Sequence, residues 1–108
     1  MDAKELKQRY SQGERNFNNA DLCESDLSWT NLSEINLEKA NLCKANLKGA
    51  TLERANLQGA DLQGANLYGA TLRGANLSES NLFGANMTGA FTVAANLMGA
   101  TLPDGTKN

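Results

Sequence analysis

Histidine is absent from this chain of 108 residues, and with it the usual general base and the commonest metal ligand near neutral pH. Aromatic residues make up only 6%, too few for a conventional globular core or for a platform on which nucleic-acid bases stack. Neither sign of charge dominates: 10 Lys and Arg against 12 Asp and Glu leave a formal net charge of −2. A nucleic-acid-binding face needs clustered cations, so no nucleic-acid partner is expected. No apolar run is long enough to span a bilayer, and no membrane partner is expected. Met1-Asp2-Ala3-Lys4-Glu5 is charged where a secretory signal would turn apolar, which reads as a cytoplasmic start. The two cysteines, Cys23 and Cys43, fall short of a disulfide framework.

What the chain has in abundance is repetition. Residues 15–104 parse into eighteen units of five, each centred on a large apolar residue: Phe17, then Leu at 22, 27, 32 and onward to Leu82, followed by Met87, Thr92, Leu97 and Leu102. Two residues before most centres sits Ala, and one before sits Asn, Asp or Thr. Two after is often Gly, as at Gly49, Gly59, Gly64, Gly69 and Gly74. Five residues rotate an α-helix by about 140° net, which would scatter the leucines around its circumference. On a flat strand an odd period alternates faces. The leucines share one interior only if the backbone turns a corner once per unit, with Ala and Leu pointing inward and Asn, Asp and Gly suited to the turn.

Charge registry decides how many sides a coil has. An offset of twenty residues stacks Glu24 on Lys44, Glu34 on Arg54 and Glu53 on Arg73, all opposite pairs. An offset of fifteen stacks Glu38 on Glu53 and Lys39 on Arg54, both repulsive, against one favourable pair, Glu24 on Lys39. Four sides per coil follow, and eighteen units make four and a half coils.

The run Ala55-Asn56-Leu57-Gln58-Gly59-Ala60-Asp61-Leu62-Gln63-Gly64-Ala65-Asn66-Leu67 resembles the A-(D/N)-L-x-x repeat of the pentapeptide repeat family. The opening, Lys7-Gln8-Arg9-Tyr10 with Gly13-Glu14-Arg15-Asn16-Phe17, and the ending, Gly99-Ala100-Thr101-Leu102-Pro103-Asp104-Gly105, resemble small cyanobacterial members. The resemblance implies an all-β solenoid, a right-handed quadrilateral β-helix, and leaves function open. The expected organisation is an N-terminal capping helix and turn (1–14), the β-helix (15–104) and a C-terminal tail (105–108). Asp2 is the expected N-cap, Leu6 and Tyr10 share one helix face, and Gly13 suits the stop.

No catalytic, cofactor-binding or metal-ligating constellation emerges. The glycines recur at corners rather than clustering in a phosphate loop, Leu and Ala fill the interior, and two stacked thiols make a poor zinc site. No enzyme activity and no cofactor are expected. The function class is then a protein-interaction or structural scaffold with a protein partner. The alternative implied by the family is a DNA mimic that binds a type II topoisomerase, which the short, near-neutral rod disfavours.

Candidate contact residues lie toward the C-terminal end, where Ser80 to Pro103 contains no charged residue. Outward positions there carry Phe83, Phe91, Val93 and Met98, and Thr92 replaces an inward Leu. One reading is an interface, including an end-to-end homodimer through the C-terminal coil. The other turns Phe91 inward to fill the space beside Thr92 while the tail covers the rest. Trp29 sits at a corner where later coils have glycine, lying over the adjacent Gly49 or serving as a binding hot spot. Cys23 and Cys43, one coil apart at equivalent outward positions, are either free thiols or a redox pair.

Overall fold

The computed structural model describes all 108 residues. The chain opens with α1 (Ala3–Ser11). Asp2, in extended conformation, accepts the Glu5 amide on its Oδ1 at 2.8 Å, filling one of the helix's orphan donors. Gln12 closes the helix, and Gly13 at φ +97° carries the chain away. Leu6 is fully buried within the same apolar cluster as Phe17 and Leu22, so α1 is a lid on the rod's first coil. The Tyr10 hydroxyl donates to the Ser33 carbonyl at 2.8 Å. Arg9 bonds Glu14 and stands 5.0 Å from the centre of the Phe17 ring. The same guanidinium contact holds the Glu14 carboxyl below its ordinary pKa.

Within the repeats every backbone pairing is parallel and spans twenty residues: Asn16 with Asn36, Asp21 with Asn41, Asp26 with Asn46, Asn31 with Thr51, and so on to Asn81 with Thr101. Twenty residues are four units, so the solenoid is a quadrilateral β-helix. Its coils cover residues 15–34 (coil 1), 35–54 (coil 2), 55–74 (coil 3) and 75–94 (coil 4), with a half coil at 95–104. The molecule measures 37 × 24 × 24 Å.

Each unit is built the same way. The amide three residues after the centre donates back to the centre's carbonyl, as from Ala60 to Leu57 at 3.0 Å. This makes a tight turn whose third residue has positive φ, +66° at Gly59 and +68° at Gly64, the region glycine enters without strain. The Asn, Asp or Thr before each centre lies on the pairing ladder. Where it is Asn or Asp its side chain also accepts the amide two residues on: Asn56 from Gln58 at 3.1 Å, Asn66 from Tyr68 at 3.0 Å. Centres then bond onward along the rod and their neighbours bond back. Leu57 donates to the Asn76 carbonyl at 2.7 Å and Asn56 to the Ile35 carbonyl at 2.9 Å.

The interior is a stack of fully buried leucines from Leu22 to Leu82, flanked by Ala and, in coil 2, Ile35. Each buried leucine stabilises by about 1.5–3 kcal/mol. The stacked opposite charges share the expected register but do not close: the ion pairs within 4.0 Å are Arg9 with Glu5 and Arg9 with Glu14, both at α1. Exposed pairs of this kind contribute little.

After Pro103 the chain reverses. Thr101 pairs antiparallel with Lys107, Leu102 donates to the Thr106 carbonyl at 2.7 Å, and Asn108 bonds the Ala100 and Leu97 carbonyls at 2.8 and 2.9 Å. The Asp104 side chain accepts both the Thr106 hydroxyl (2.7 Å) and its amide (3.0 Å), which lowers the Asp104 pKa and pins the turn. No helix of the protein is long and apolar enough to cross a membrane.

Candidate functional site

The returning tail covers most of the half coil and leaves the second half of coil 4, with the start of the half coil, open. The amides of Met87, Gly89, Thr92, Ala94 and Leu97 stand where every lower coil donates to its successor, and none of the five makes a hydrogen bond. The carbonyls of Ala85, Ala90 and Ala95 are likewise without donors. Behind this backbone edge Met87, Ala90, Ala95 and Leu97 are only partly buried against the core. An unpaired β-edge over apolar side chains is a template for another strand.

Around that edge the outward side chains are apolar on three of the four sides. Phe83 projects from the side that also carries Cys23 and Cys43, and its ring lies against the bare Gly105 of the tail. Phe91 is 63% exposed and Val93 is equally open, both on the next side but one. With Glu53, Thr71 and Arg73 they border a shallow depression. Met98, 74% exposed, occupies the fourth side. The alternative in which Phe91 turns inward does not hold. Phe91 occupies the position before the centre and pairs with Thr71, so its side chain is forced outward while Thr92 stays exposed at the open end. The structure therefore leaves Phe83, Phe91, Val93 and Met98 outward and exposed, spread over three sides of the C-terminal coils.

Trp29 stands apart from these residues, in coil 1. It is exposed, at φ +59°, and its indole lies flat over Gly49, where any Cβ would collide with the ring. The Tyr68 ring, two coils further on, stacks 5.6 Å from the Lys48 ammonium. Trp29 is thus half engaged in packing and is not joined to the C-terminal surface. Cys23 and Cys43 are joined to each other as a disulfide, with Cα atoms 4.7 Å apart.

Sequence reasoning named these outward apolar residues by type but missed the unpaired edge, because unpaired amides have no side-chain signature.

The pentapeptide repeat model matches in eight copies, over residues 16–38, 24–59, 35–74, 60–91 and 75–104. Among solved structures, the chain is similar to HetL, a pentapeptide repeat protein involved in heterocyst differentiation regulation in the cyanobacterium Nostoc sp. strain PCC 7120. That match has 40% identity over 86% of this chain and 43% of HetL, with a TM-score of 0.85. It is similar to Rfr23 of the cyanobacterium Cyanothece 51142 at 42% identity, covering 85% of this chain and 63% of that one, with a TM-score of 0.81. A third, alr5209 of Nostoc PCC 7120, matches at 33% identity over 92% of this chain and 78% of its own, with a TM-score of 0.62. The chain therefore spans about two fifths of the length of HetL and under two thirds of Rfr23. No curated protein matches the sequence.

Proposed function

The chain belongs to the pentapeptide repeat family, and from that premise we propose that it is a non-enzymatic interaction scaffold that docks end-on through coil 4. The observation that carries this reading is the conjunction at one end of the rod. Five unpaired amides and three unpaired carbonyls stand over a partly exposed apolar floor, with Phe83, Phe91, Val93 and Met98 around them. Backbone pairing supplies direction, and these side chains supply apolar area to bury.

A second copy is the partner this end fits best. The opposite end is closed by α1 with Leu6 buried beneath it, so one rod cannot continue head-to-tail on another. Two rods meet instead through like ends, which gives a closed two-fold pair. A cross-section of 24 × 24 Å on each copy is about 1,150 Å² for the pair, at the lower bound of specific interfaces. The expected dimer is therefore concentration-dependent. The side faces, by contrast, carry both signs of charge in register, Glu24 beside Lys44 and Glu53 beside Arg73, which is unlike the polyanionic surface of a DNA mimic.

Light scattering over a concentration series, on the wild type and on Phe83→Glu/Phe91→Glu, tests the reading. A mass that doubles with concentration in the wild type and stays monomeric in the variant supports docking through coil 4. Equal masses for the two proteins at every concentration would defeat it.

A further inference from the structure

We propose that the Cys23–Cys43 disulfide is a thiol–disulfide exchange site for a dithiol, and that its state sets how firmly coil 1 and α1 are held to the rod. The bond ties coil 1 to coil 2 on an outward face, across a 4.7 Å Cα spacing that the parallel pairing of Asp21 with Asn41 already imposes.

The clasp sits where the repeat departs from the pattern of the central coil. All four corners of coil 1 have positive φ without glycine: Asn19 (+62°), Glu24 (+64°), Trp29 (+59°) and Glu34 (+61°). Coil 2 has three such corners, Lys39, Lys44 and Arg54, and coil 3 has none, its corners being Gly59, Gly64, Gly69 and Gly74. Left-handed backbone is strained for residues with a Cβ. Of the four inward positions that hold Ala in coil 3, two are Ser25 and Thr30 in coil 1, and both are only partly buried. Coil 1 is thus less supported by its own sequence than coil 3, and a covalent tie to coil 2 acts there.

The sulfurs can also be reached. Cys23 is exposed, and Cys43 borders an open depression of about 370 Å³ that it shares with Lys44, Asp61, Gln63, Gly64, Phe83 and Gly84. The bare corners at Gly64 and Gly84 leave room beside Cys43 for an incoming thiolate, and the Lys44 ammonium favours its charge. The attacking thiolate forms a mixed disulfide with one sulfur and releases the other, which takes up a proton. The second thiol of the dithiol then resolves the mixed disulfide, leaving two protein thiols and a cyclic disulfide. Two electrons and two protons pass to the protein.

Closing a loop of this length confines the open chain enough to change the opening equilibrium of coil 1 by roughly 200-fold. Amide exchange read by mass spectrometry, with thiol titration in parallel, tests the proposal on the oxidised protein, on protein treated with dithiothreitol, and on Cys23→Ser/Cys43→Ser. The expected result is release of two thiols from the folded protein. Exchange in α1 and coil 1 should then be roughly 200-fold faster, with coil 3 unchanged, and the double-serine variant should behave alike without reductant. The proposal is overturned if dithiothreitol releases no thiol short of unfolding. It is also overturned if exchange in coil 1 is unchanged on reduction, or if coil 3 loses protection equally.

Discussion

Leu57→Ala probes the interior ladder at its most enclosed point. Leu57 is fully buried in coil 3, with Leu37 one coil below and Leu77 one coil above, both also fully buried. Truncation removes three carbons from the core, about 2.4 kcal/mol of transfer free energy at ~0.8 kcal/mol per carbon. A cavity term adds to this, because the neighbours cannot collapse. Leu37 donates to Asn56 at 2.8 Å and Leu57 to Asn76 at 2.7 Å, which fixes the backbone above and below. The total falls at about 3–4 kcal/mol, against a stability of about 5–15 kcal/mol for a domain of this size. Urea unfolding followed by circular dichroism measures it, with two controls. Gln58→Ala, outward on the same side, should change stability by less than about 0.5 kcal/mol. Met87→Ala, at the open end and only partly buried, should cost about 1 kcal/mol. A Leu57→Ala loss no larger than that of Met87→Ala would refute the closed central core.

Gly49→Ala should destabilise by about 2 kcal/mol, because it places a Cβ at φ +65° and drives the Trp29 indole off its seat. In a Trp29→Ala background the same substitution should retain only the backbone part, and thermal melts of the four proteins give the coupling. Stability should also fall in acid. The Glu14, Asp26 and Asp104 carboxyls are held below their ordinary pKa values by bonds from Arg9, Ser28 and Thr106 respectively. A lowered folded-state pKa contributes stability that is present above the unfolded value and is lost as pH falls through the folded one. The decline should therefore begin near the ordinary values of 4.5 and 3.8 and continue below them. Glu14→Gln should flatten its share of that decline in melts between pH 6 and 2.

The five-residue period made the coil legible because only one backbone path keeps Leu57, Leu62, Leu67 and Leu72 on a common interior. Pairing of Asn56 with Asn76 then bears out the twenty-residue register read from charge. The helix was legible from Asp2, Leu6 and Tyr10, although the Tyr10 bond to the Ser33 carbonyl was not, since it joins residues far apart in sequence. Stacked charges predicted the register without predicting contacts: Glu53 and Arg73 share a ladder, yet exposed side chains stay solvated rather than paired. Asn16, Asn36 and Asn56 looked like turn residues and also pass a side-chain hydrogen bond from coil to coil at 3.1 and 3.3 Å. The outward side of Phe91 follows from its place before the centre, whereas the reversal of Lys107 onto Thr101 turns on the Asp104 bonds to Thr106, which the repeat does not encode.

Docking through coil 4 is tested most directly at the five free amides. Hydrogen exchange at Met87, Gly89, Thr92, Ala94 and Leu97 should slow as protein concentration rises through the dimer transition. The amide of Leu57, already bonded within the rod, should exchange at one rate throughout. Exchange at those five positions that stays fast and independent of concentration, in a sample whose mass has doubled, would contradict pairing through this edge.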